Sequence, residues 1–124
     1  MSYRSIKYRL YPTKQQAILF EQTFGCCRKL WNLMLSDKIN CYQNNKTNYK
    51  TLVSDYKKRY PYLKDIDSLA LANVKLNLDK AYNNFFSKRS KFPKFKSRKH
   101  SKKSYTTNYV SNNIRFDNNH IRLP

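Results

Sequence analysis

Between Ala81 and Phe116 the chain has no acidic side chain, and residues 88–103 carry nine Lys or Arg in sixteen positions, with Phe92, Pro93 and Phe95 set among them. A one-signed block of that density repels itself, so it cannot form the interior of a fold and opposes compaction around it. A polyanion matches it. Each Lys or Arg that neutralises a phosphate releases condensed counterions, and that release drives most sequence-independent binding to nucleic acid. The rest of the chain shares the bias: 26 basic residues stand against 7 acidic ones, a formal charge of +19 on 124 residues. Phosphate is the leading partner before any motif is read.

The length allows one domain, or two small lobes sharing a core. A hydrophobic fraction of 40%, with 15% aromatic, is too rich for a disordered basic tail. The eleven Tyr and seven Phe can fill a core or stack on bases. No apolar run approaches the roughly 20 residues of a membrane span, and residues 1–10 are too polar for a signal peptide, so no membrane role is expected. Three Cys, with Cys26 and Cys27 adjacent, make no disulfide framework and point to a reducing cytoplasm. There is no C-x-x-C, and His100 and His120 lie far from the thiols. Neither a structural metal nor a cofactor is expected.

Residues 5–11 alternate, with Ile6, Tyr8 and Leu10 on one face and Lys7 and Arg9 on the other, which predicts a half-buried strand stopped by Pro12. Thr13 and Gln16 form a capping box that starts a helix with Ala17, Phe20 and Phe24 on its apolar face. Gly25, the only glycine, is expected to break the backbone before a second helix buries Cys27, Leu30, Trp31, Met34 and Leu35. A third helix over 49–60, ended by Pro61, would bury Leu52, Val53 and Tyr56. Asp67 would cap the longest helix, over 68–87, with Leu71, Val74, Leu78, Ala81 and Phe85 inward and Asn73, Lys75, Asn77 and Lys80 opposite. Strand propensity returns at 104–109. A hairpin is expected around Asp117, Asn118 and Asn119, with Arg115 and Arg122 on its outer face. The expected class is α+β: an N-terminal strand, an inserted bundle of about four helices, then a small antiparallel sheet. Such a short sheet has unpaired edges, so the chain reads as the front of something longer.

Catalysis has little support. Asp65 and Asp67 are the only carboxylates close in sequence, and a cap plus loop polarity accounts for them better than a two-metal site does. His100 and His120 have no nucleophile beside them and read as solvated or phosphate-facing. Cys26 and Cys27 beside Arg28 would be reactive if that cation lowered their pKa; the plainer reading makes them small hydrophobes at a helix contact. A helix-turn-helix over 13–37 is a further option, but the apolar residues of its second helix look like core. For binding, the Phe-Pro-x-Phe element would pin the basic run to the body and hold its charges in a track. Tyr49, Tyr105 and Tyr109 are stacking or phosphate candidates, or partly buried structural aromatics.

Six segments taken together (KYRLYPTKQQ, FGCCRKLWN, LKDIDSLAL, NLDKAYNNFF, KFPKFKSRKHSKKSYTT and NNIRFDNNHIRLP) resemble, in order and over nearly the whole chain, the N-terminal part of the TnpB (OrfB) family of insertion-sequence proteins. The resemblance implies a partial β-barrel "wedge" domain from residues 1–12 with 88–124, and a helical recognition domain over 13–87. Together these would grip a guide RNA–DNA duplex and read a short adjacent DNA motif, which Tyr49, Ser68 and Ala72 would face. Ala72 stands where Gln is frequent in the family, so no motif preference carries over. The family's metal-dependent nuclease domain, with its acidic triad, has no counterpart in these residues, so this chain is expected to bind and not to cut. The candidate nucleic-acid-binding residues are Lys7, Arg9, Tyr49, Ser68, Ala72, Lys75, Lys88, Arg89, Lys91, Lys94, Lys96, Arg98, Lys99, Lys102, Lys103, Tyr105, Thr107 and Arg115. Expected partners are guide-type RNA and double-stranded DNA. Two alternatives stay open: half of a split endonuclease completed by a separate nuclease polypeptide, and a basic module for RNA or anionic membrane.

Overall fold

A computed structural model of the chain describes residues 5–45, 52–99, 102–110, 113–117 and 120–124. The order of elements is helix α1 (Lys14–Asn45), helix α2 (Val53–Arg59), a 3-10 turn (Pro61–Asp65), helix α3 (Ser68–Phe86) and a hairpin of β1 (Arg115–Asp117) with β2 (His120–Arg122). The class is α+β.

The capping box forms as the sequence predicts: the Thr13 amide donates to Gln16 Oε1 at 2.9 Å, and the Gln16 amide donates to Thr13 Oγ1 at 3.3 Å. The expected break at Gly25 does not occur. Helix α1 runs through it for 32 residues, and Gly25 has no positive φ. The reason is phase: Ala17, Phe20, Phe24, Cys27, Trp31 and Met34 recur at alternating steps of three and four, one unbroken helical stripe. Three α-helices are therefore described where about four were expected. A Cβ at Gly25 would meet only Arg28 Nη2, at 3.7 Å. Gly25→Ala is accordingly expected to stabilise the chain by about 0.5–1 kcal/mol in urea unfolding, whereas a left-handed turn there would make it destabilising.

Tyr56 of α2 is buried and Val53 partly so, but Leu52 lies at the helix start, 57% exposed. Asp67 caps α3 by accepting from the Leu69 amide at 3.1 Å. Leu30, Trp31, Met34 and Leu35 of α1 meet Leu71, Leu78 and Tyr82 of α3, with Tyr56 and Leu63 closing the core. Tyr82, which the sequence reading did not place inward, is buried in the core beside Ala81, which packs against it as expected, while Phe85 packs on Phe92.

Two expected strands do not form. Residues 5–12 and 104–109 belong to no ladder among the described residues. Their aromatic residues find ring partners instead. Tyr8 lies 5.7 Å from Phe116 of β1, and Tyr105 lies 6.2 and 6.1 Å from Phe20 and Phe24. The hairpin forms with Arg115 opposite Arg122, Phe116 opposite Ile121 and Asp117 opposite His120. Asn113 shapes the approach to it, accepting from the Val110 amide at 2.8 Å and donating to the Asn108 carbonyl at 2.9 Å.

Candidate nucleic-acid interface

After α3 the chain turns at Lys88, where φ is 60°, and residues 91–97 pass along α1 without regular structure. Hydrogen bonds with α1 and ring contacts hold them. The indole Nε1 of Trp31 donates to the Lys94 carbonyl at 2.8 Å. Asn32 pairs with Lys96 twice, donating to its carbonyl at 2.8 Å and accepting from its amide at 2.7 Å. Phe92 packs edge-on against Phe85 and Tyr82, at 4.9 and 5.6 Å between ring centres. The pinning expected of Phe92 and Phe95 is thus shared differently, because Phe95 stays 57% exposed and α1 supplies the polar clamps.

Lys88, Arg89, Lys91, Lys94, Lys96, Arg98 and Lys99 are all exposed along this track, and Lys102 and Lys103 are exposed beyond it. Lys96 Nζ sits 4.3 Å from the centre of the Trp31 ring, and Lys103 Nζ lies 3.3 Å from Glu21. Lys7 and Arg9 are exposed, with Arg9 over Tyr11 at 5.7 Å. Ser68 and Ala72 are exposed near the start of α3, whereas Tyr49 and His100 lie outside the described residues. Tyr109 is 63% exposed.

Other candidates are engaged within the fold. Lys75 pairs with Asp79 at 2.8 Å. The Thr107 hydroxyl bonds the Asp67 carboxylate, which ties residues 102–110 to the N-terminus of α3. Asn73 adds to that tie, donating to the Thr106 carbonyl at 3.2 Å and to Asn108 Oδ1 at 3.0 Å. Tyr105 is half-buried, and burial foremost, then Asp67 and Cys27, raises its phenol pKa. On the hairpin, Arg115 and Arg122 are direct cross-strand partners and line one shallow hollow with Asn113, Leu123 and Pro124. Like charges in register repel, and a phosphate between them relieves that repulsion.

The adjacent thiols Cys26 and Cys27 are not activated. Cys27 is pushed up to about 11, by burial first and then by Cys26; Lys96 lowers it, Asp67 raises it by less, and Arg28 has the smallest, lowering effect. Burial also raises Cys26, with Asp65 adding to it. The prospect of an Arg28-activated thiol fails because desolvation outweighs the cation. Cys27 stays protonated until the pH nears 11, so at pH 8 it should alkylate with iodoacetamide roughly 100-fold more slowly than in the unfolded chain, by peptide mass spectrometry. Among the described residues no three His, Cys, Asp or Glu side chains converge on a metal position, and no helix is long and apolar enough to cross a membrane.

Residues 1–47 match a helix-turn-helix domain family of the OrfB type. A protein of Salmonella dublin named virulence protein VsdF is 35% identical over 115 residues, covering 80% of this chain and 96% of that protein. The chain belongs to the OrfB (TnpB) family. Two longer relatives carry the name "Putative RNA-guided DNA endonuclease". That of Streptomyces pristinaespiralis is 35% identical over 108 residues, and InsQ of Escherichia coli K12 is 31% identical over 102. They match 82% and 77% of this chain, which spans only 27% and 25% of their length. Among the described residues of this OrfB chain, the span matched to the helix-turn-helix domain holds one helix, α1. Asn32 and Lys38 are the residues of consequence that sequence reasoning missed. Asn32 sits beside a core Trp with no local pattern to mark it, and Lys38 continues the apolar stripe of α1.

Proposed function

We propose that this OrfB chain holds nucleic acid, a guide-type RNA with its DNA target and an adjacent DNA motif, and does not cut it by itself. The observation that carries this reading is the basic track: seven exposed Lys or Arg between Lys88 and Lys99, on backbone clamped to α1 at Lys94 and Lys96. Cations held at set spacing neutralise successive phosphates with less loss of freedom than cations on a loose tail. Residues 1–12 with 88–124 act as a partial wedge domain and 13–87 as the recognition domain, with Ser68 and Ala72 toward the DNA motif. The names of the longer relatives support RNA guidance. A mixture of anionic lipid vesicles and an RNA hairpin separates this from a membrane module: the chain should partition to the RNA, and retention on vesicles instead would sink the reading.

The quarter-length match to relatives named as endonucleases favours a second reading, in which a separate nuclease polypeptide completes the activity in the cytoplasm. Mg²⁺-dependent cleavage appearing only on mixing the two would establish it, and no cleavage in any mixture would count against it.

A further inference from the structure

We infer that Asn32 and Trp31 are positioning residues for nucleic-acid binding: they hold the basic segment in register without touching the ligand. The inference rests on the nucleic-acid reading above. A primary amide carries one acceptor and an NH₂ donor on a planar group, the same pair that a peptide presents. Asn32 uses both on the N–H and C=O of one residue, Lys96, as a residue on an adjacent antiparallel strand would. Two residues back along the chain, Trp31 satisfies the Lys94 carbonyl. Positions two apart in extended backbone turn their polar groups to the same side. Consecutive side chains of α1 thus stand in for a strand beside a segment that has no strand partner among the described residues.

This arrangement has a consequence for charge. The backbone of residues 94–96 is held by groups that carry no charge, so the cations on either side remain available to a polyanion. Lys96 is the exception, since its ammonium rests over the Trp31 indole at 4.3 Å. A phosphate competes with that ring for Lys96, and an exposed cation resting on an aromatic face is held only weakly. The side chain can therefore be handed to the ligand while its backbone stays fixed.

Two variants of the full chain test this. Asn32→Ala removes both bonds to Lys96; Trp31→Phe keeps an aromatic ring in the core but removes the indole N–H together with part of the ring's volume. Limited trypsin digestion without nucleic acid reads the tether, and cleavage within residues 88–99 should accelerate in both variants, more in Asn32→Ala. Titration with a short DNA duplex should then show affinity lower by about 5- to 30-fold for Asn32→Ala and about 3- to 10-fold for Trp31→Phe. The slope of log affinity against log salt should stay at the wild-type value, because the same cations still meet phosphate. Lys94→Ala, by contrast, should lower the slope by about one. Wild-type affinity and wild-type digestion in both variants would overturn the inference, as would an affinity loss accompanied by a reduced slope. If the wild-type chain bound no duplex, the nucleic-acid reading itself would fall and the inference with it; failure of the positioning role alone leaves wild-type binding intact.

Discussion

Replacing Lys91, Lys94, Arg98 and Lys99 together with Ala is expected to weaken binding to duplex DNA or structured RNA by about 100- to 4000-fold at roughly 0.1 M salt. Each phosphate contact adds about 0.9 to the salt slope, which near 0.1 M corresponds to about eightfold in affinity. Four lost contacts set the upper figure, and partial engagement of the four sets the lower. The choice of residues is deliberate. All four side chains are exposed, and the backbone clamp on Lys94 and Lys96 does not involve them. Lys96 is left in place because its side chain lies on Trp31. The variant should keep the wild-type circular dichroism spectrum and urea midpoint, and its salt slope should drop by two to four. Unchanged affinity would place the nucleic acid elsewhere on the chain.

Loss of Asp79 should have the largest effect on stability. Lys38 of α1 is only 2% exposed, and its ammonium lies 3.3 Å from Asp79 Oδ1 and 5.2 Å from the centre of the Tyr82 ring. The other carboxylate oxygen of Asp79 holds Lys75 at 2.8 Å. Removing one partner of a buried pair leaves an uncompensated charge, which costs about 3–5 kcal/mol, while replacing the charge by an apolar group of similar shape is often neutral or stabilising. Asp79 is about a third exposed, and water reaching it lowers the expectation for Asp79→Ala to about 2–4 kcal/mol. Lys38→Met should lie within about 1 kcal/mol of wild type or above it. In the Lys38→Met background, the cost of Asp79→Ala should shrink to that of a lost surface pair with Lys75, about 0.5 kcal/mol. Urea unfolding of the four chains reads this directly. An equal cost of Asp79→Ala in both backgrounds would show that the two groups are not coupled.

Local chemistry was the most legible part of the fold. The Thr13–Gln16 box and the Asp67 cap rest on residues within three positions of one another and the pairing of β1 with β2 on residues within seven, and each appears as expected. Gly25 misled because a lone glycine was weighed above the apolar stripe that passes through it in phase. Lys38 belongs to that same stripe, and a charged residue at a core position is intelligible only once Asp79 is brought from another helix. Alternation at 5–11 and strand propensity at 104–109 recorded aromatic packing, not strand pairing, since Tyr8 and Tyr105 meet rings from distant parts of the chain. The basic track was plain from charge alone. What fixes it was not, because the bonds from Trp31 and Asn32 span more than sixty residues.

The most direct measurement is the salt dependence of affinity for an RNA hairpin and a short DNA duplex, by filter binding of the full chain between about 50 and 300 mM monovalent salt. A track of seven exposed cations, with the hairpin arginines beyond it, predicts a steep linear fall in log affinity against log salt, with a slope of about −4 to −7. A flat dependence would contradict the account.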